Sequence, residues 1–70
     1  MEGTIAAVNV SARIVTLRFG NGTTRTVTVA ASAKIERNGA AASLAAFLVG
    51  DFGDAKLGAD GVAVKIEAAG

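Results

Sequence analysis

Seven cations (Arg13, Arg18, Arg25, Lys34, Arg37, Lys56, Lys65) and six carboxylates (Glu2, Glu36, Asp51, Asp54, Asp60, Glu67) carry the charge of this 70-residue chain, and His, Cys, Tyr and Trp are all missing. The groups left to act as general base or nucleophile are therefore scattered carboxylates, lysines and hydroxyls, and an enzyme is not expected. The best zinc, copper and haem ligands are missing as well. Asp51, Asp54 and Asp60 lie close in sequence, but their spacing does not fit the alternating acidic pattern of a calcium loop. Asp beside Gly is ordinary turn chemistry. No catalytic, cofactor-binding or metal-ligating residue is assigned.

The cations invite a different reading. Arg13, Arg18, Arg25, Lys34 and Arg37 fall in the first half, offset there by Glu2 and Glu36 alone, so a mildly basic face with Arg18 and Arg25 at its centre is one candidate for a single-stranded nucleic acid. Such sites combine a basic groove with aromatic platforms on which bases stack. The three aromatic residues, Phe19, Phe47 and Phe52, fall at positions expected inside or in a cap, which favours solvated strand faces instead. Gly20-Asn21-Gly22 is not a phosphate loop, because no Lys-Ser/Thr or helix start follows it.

These side chains must be positioned by strands. Thr4–Val10 and Ile14–Phe19 are rich in β-branched residues, and the period of two in the second points Val15, Leu17 and Phe19 inward. Asn21-Gly22 marks a hairpin, and Thr23–Val29 returns from it with Val27 and Val29 inward and Thr24, Thr26 and Thr28 outward. Lys34–Arg37 is a short alternating piece before a second turn signal at Asn38-Gly39. The period then changes: Leu44, Phe47 and Leu48 recur at helical spacing, Ser43 suits an N-cap, and Gly50 suits a left-handed helix end. A short helix is expected there, covering an open end of the sheet. Asp51–Leu57 reads as a fourth, weaker strand because Gly53 has no side chain to pack, and Val62–Glu67 closes the chain with Val62, Val64 and Ile66 on one face. The last residues, Ala68-Ala69-Gly70, are expected to fray. The expected core is Val15, Leu17, Phe19, Val27, Val29, Ile35, Leu44, Phe47, Val64 and Ile66.

Five main strands, turn signals about every ten residues and one short helix before the fourth strand predict an all-β fold. A small five-stranded OB-like barrel spanning residues 1–70 as one domain is the natural candidate, and a meander with free edges is the alternative.

The pattern resembles a bacterial family of unknown function, small OB-like β-barrel modules found in exported and cell-envelope proteins. The matching residues are Gly3-Thr4-Ile5 with Val8, Ile14–Leu17, Asn21-Gly22, Thr26–Val29, Lys34–Leu44, Val49-Gly50-Asp51 and Asp60–Glu67. The most specific stretch is Lys34-Ile35-Glu36-Arg37-Asn38-Gly39 with the Ala/Ser-rich turn and Gly-Asp after it. The family places a regular Val-rich strand after Gly-Asp, where this chain has the Gly-interrupted Phe52–Leu57. The resemblance implies an envelope or extracellular module without a known active site. Nothing in the chain itself gives a compartment, since Met1-Glu2-Gly3 lacks the basic and apolar start of a secretory signal.

Size and composition supply the function class. A 70-residue domain buries only ~60% of the surface its unfolded chain would expose, and with neither disulfide nor metal available, association is the remaining support. Charged residues make up 19% and the net charge is +1, so little repulsion separates copies. The expected role is a non-enzymatic structural or adhesive module that assembles with itself into a homo-oligomer or filament, with single-stranded nucleic-acid binding as the alternative. The expected self-contacts are Thr4, Ala6 and Val8 on the first strand, Phe52, Ala55 and Leu57 on the fourth, and Val62, Val64 and Ile66 on the last. The Thr row at 24, 26 and 28 with Thr16 has two readings, a cross-strand ladder on an exposed face and a nearly uncharged face that packs on another copy.

Overall fold

A computed structural model describes residues 1–70 as six strands: β1 (Glu2–Asn9), β2 (Ile14–Arg18), β3 (Thr24–Arg37), β4 (Ala40–Ala41), β5 (Phe52–Leu57) and β6 (Ala63–Ala69). One 3-10 turn, Leu44–Ala46, stands before β5. The sheet order is β2-β1-β5-β6-β3-β4, and an additional β2–β3 pairing joins its ends. Five strands thus close a ring, β1-β2-β3-β6-β5-β1, from which only the short β4 hangs as a hairpin. All pairings are antiparallel except β3 with β6. The result is a small all-β, OB-like barrel.

Closure depends on β3. Its first part pairs with β2 from Thr24 to Thr28, and its last part pairs with β6 from Lys34 to Arg37, with a register break between Val29 and Lys34. The Lys34–Arg37 piece is therefore the far end of the third strand. At the break, Arg13 supplies hydrogen bonds that no strand gives: its Nε donates to the Val29 carbonyl at 3.0 Å and its Nη2 to the Ala30 carbonyl at 2.7 Å. Asn38 and Gly39 both have positive φ, 53° and 80°, the requirement of the tightest two-residue hairpins. They turn β3 into β4.

The core is one cluster: Ile5, Val15, Leu17, Val27, Val29, Leu44, Phe47, Ala55, Ala63, Ile66 and Ala68. Across the sheet, Ile35, Ile66 and Ala55 form one inward row and Arg37, Ala68, Gly53 and Gly3 the next. Small residues dominate this second row, and a Cβ on Gly3 would lie 2.6 Å from the Arg18 carbonyl oxygen. A Cβ on Gly53 would lie 2.8 Å from Leu17 Cδ2 and 3.0 Å from Ile5 Cγ1, so the glycine belongs to a fully paired strand, not to the weak one its lack of a side chain suggested.

Several expectations need correction. Val64 is exposed, and the inward residues of β6 are Ala63, Ile66 and Ala68. The cause is a bulge: Leu57 pairs with Ala63 and Lys56 with Lys65, leaving Val64 as the extra residue, which shifts the alternation by one place. Val62 and Phe19 are half-buried, and Leu48 points outward. The expected helix is a single 3-10 turn whose Ser43 makes no side-chain cap, although Leu44 and Phe47 do enter the core and Gly50 does adopt φ 97°. Ala68 and Ala69 are not frayed, since they pair with Gly53 and Phe52.

Candidate interaction surfaces

The most constrained polar group is Asp51, placed by the sequence among the turn aspartates and found buried at 5% exposure. Arg37 occupies an inward position at the end of β3 and meets it in a two-pronged contact, Nε to Oδ2 at 2.9 Å and Nη2 to Oδ1 at 3.0 Å. The Leu48 amide also donates to Asp51 Oδ2 at 3.0 Å. These donors hold the Asp51 carboxyl below the usual carboxylate range, the arginine first and the amide second, and the pair raises Arg37 in turn. With donors on both oxygens, the pair ties the Leu48–Asp51 loop to the barrel end.

The remaining members of the expected basic face separate. Arg13 is spent on the carbonyls of β3. Arg18 and Arg25 lie on opposite faces of the β2–β3 ribbon, because Arg18 pairs with Thr24 while Arg25 pairs with the inward Leu17. The two guanidiniums do not converge. Phe19 is half-buried and Phe47 is in the core, but Phe52, expected inside or in a cap, is 52% exposed and stands in the same outward row as Arg18, with Thr4 of β1 between them; one exposed ring is not the series of platforms on which successive bases stack.

The expected self-contact residues divide by exposure. Ala55 and Ile66 are inside the barrel, at 1% and 0% exposure, and are closed to another chain. Leu57 and Val8 are partly buried against the core, and Ala6 is half-buried at a register break between Ile5 and Ala7. Thr4, Phe52 and Val64 are exposed, with Phe52 at 52% and Val64 at 45%. The edges also differ from expectation. Both β5 and β6 are flanked on each side by a strand, β5 by β1 and β6, and β6 by β5 and β3. Open edge remains on β1 beyond Ile5, whose backbone bonds to Gly50 and Asp51 end that side's pairing, and on β3 from Thr24 to Thr28 on the side away from β2.

These two edges bound one three-stranded sheet whose outer face is nearly free of charge. Ala7, Thr16 and Thr26 form one cross-strand row, Asn9, Ile14 and Thr28 the next, and Thr4, Arg18 and Thr24 a third. The sequence reading named the Thr row and the first strand but not the β3 edge, because which strands flank each other is a property of the ring. No helix of the chain is long and apolar enough to cross a membrane. Compared with models of protein families, with curated proteins and with solved structures, the chain gives no match in any of the three.

Proposed function

We propose that the chain is a non-enzymatic structural module of the cell envelope or exterior that works by assembling with copies of itself. The observation that carries this reading is the pair of open edges, Ala6–Asn9 on β1 and Thr24–Thr28 on β3, at opposite sides of one sheet. An unpaired edge is a template for another strand. Because the two edges are different surfaces, joining β1 of one copy to β3 of the next is head-to-tail, and such a contact grows into a filament unless its rotation closes a ring. The Thr-rich outer face supports the same reading, since no ion pair on it must be desolvated when copies approach.

Ala7 is exposed at the centre of the β1 edge, so Ala7→Lys places a charge there without entering the core, the device by which natural edge strands resist pairing. Sedimentation should show large species for the parent chain that the variant loses while keeping its circular dichroism. An oligonucleotide that bound with a steep salt dependence, and lost affinity with both Arg18→Ala and Arg25→Ala, would favour the nucleic-acid alternative.

A further inference from the structure

The outer face opposite the Thr-rich sheet, formed by β3, β6, β5 and β1, carries charge in rows. Glu36 pairs with Glu67, Glu67 with Asp54, and Asp54 with Glu2, a line of four carboxylates across four strands. Two residues along the strands lies a line of three lysines, Lys34, Lys65 and Lys56. Like charges directly opposite each other on neighbouring strands are destabilising, so folding alone does not account for sorting the signs into rows. Partial relief comes along and between the strands: Lys65 Nζ is 2.8 Å from Glu67 Oε1 and 3.8 Å from Glu36 Oε1, and Lys34 Nζ is 3.8 Å from Glu36 Oε2. The N-terminal ammonium stands 3.8 Å from Asp54 Oδ1, and Lys56 has no carboxylate within ion-pair distance.

The rows are flanked by apolar surface at both ends. Beyond the carboxylates, Phe52 lies beside Thr4 and Ala69. Beyond the lysines, β5 runs on to Gly58, where the exposed Val64 Cγ1 stands only 3.1 Å from the place a Cβ would take. Along the strands the order is apolar, acidic, basic, apolar. The row Ile35–Ile66–Ala55, in mutual register, marks the midline between the two signs.

We infer that this face binds the same face of a second copy about a twofold axis running across the strands along that midline. The rotation lays Glu67 over Lys65 of the second copy, Glu36 over its Lys34 and Asp54 over its Lys56, each contact occurring twice. It also seats Phe52 on Gly58 and Val64 of the second copy, covering two exposed apolar side chains at once. A face whose charge changes sign and whose apolar ends match under one rotation is complementary to itself, which is what an isologous contact requires. This contact is distinct from the edge-to-edge joint and shares with it only that the partner is this chain.

Its strength is bounded by its size. Four strands at ~4.8 Å and the seven residues Phe52–Gly58 at ~3.3 Å each cover roughly 400 Å² per copy, about half of the ~800 Å² per partner of a standard stable interface. The pairing is weak and sensitive to salt.

Sedimentation equilibrium of the full-length Ala7→Lys chain, in which the edge joint is blocked, tests it at ~0.01 M and ~1 M salt, where the Debye length falls from ~30 to ~3 Å. A dimer at low salt should dissociate at least ~10-fold more readily at high salt. Glu67→Lys sets ammonium against ammonium at both contacts, and Lys65→Glu sets carboxylate against carboxylate. Each should weaken dimerisation ~10-fold or more, as like-charge contacts do. The double exchange restores every cross-copy pair and should return the affinity to within ~3-fold of the parent. Circular dichroism confirms folding, and Glu67→Gln with Lys65→Gln serves as the milder pair if a reversal unfolds. Ala7→Lys should leave this dimer intact, so failure of the edge joint and failure of the face contact are read separately. A chain monomeric at low salt, a dimer indifferent to the single reversals, or a double exchange that fails to recover would overturn the proposal.

Discussion

Asp51 shows what a single residue does in so small a barrel. Its folded-state pKa lies below the ordinary 3.8, chiefly because Arg37 hydrogen-bonds the charged form, so its stabilisation is present above that value and is lost as pH falls through the lower folded pKa. The parent chain should therefore lose melting temperature as pH falls below the ordinary 3.8 and through the lower folded value. Asp51→Asn should melt lower at neutral pH and show a shallower acid loss, measured by thermal circular dichroism across that range. Gly53 gives a second test. Its buried place against Leu17 and Ile5 leaves no room for a methyl group, so Gly53→Ala should cost ~1–3 kcal/mol by overpacking. Little change in denaturant midpoint would mean that the barrel yields there. From the sequence, Gly53 read as weakness and Asp51 as a turn residue, because neither the approach of β1 and β2 nor the reach of Arg37 across 14 positions is a local property.

At the scale of elements, alternation and turn chemistry made most strands legible. Val15, Leu17, Val27 and Val29 are buried as their period of two required, and Asn38-Gly39 turns where its residues demand it. The pattern failed at β6, where Val62, Val64 and Ile66 have the right period and the Val64 bulge shifts it. A bulge is set by the partner strand, here by β5 having one residue fewer between its paired positions, and no residue of β6 announces it. The consequence is measurable: Val64→Thr should stay within ~0.5 kcal/mol of the parent, as exposed substitutions do, whereas Ala63→Leu, at 0% exposure, should cost ~1–3 kcal/mol. The reverse ranking in chemical denaturation would place the bulge elsewhere. Phe47→Ala, removing the ring that the 3-10 turn lays over the core, should cost ~3–5 kcal/mol.

The whole molecule has 11 buried apolar residues in one cluster, a thin core for a chain without disulfides, which is why we propose that association supports it. Size and composition gave that expectation, and alternation with turn signals gave the strand-rich class. Of the three edges expected to be free, the ring covers β5 and β6 and leaves part of β1 open, together with part of β3, which was not expected. The charge rows were equally hidden: β3, β5 and β6 each contribute a lysine and a carboxylate two residues apart, ordinary in isolation, and only the register aligns them. Whether this chain associates with itself is read most directly from the particle mass in sedimentation as concentration is raised at low salt. The mass should climb above the 6.9 kDa of one chain and fall back toward it when Ala7→Lys and Glu67→Lys are combined, or when salt is added to the Ala7→Lys chain; a particle that stays at 6.9 kDa across the whole concentration range would contradict self-association.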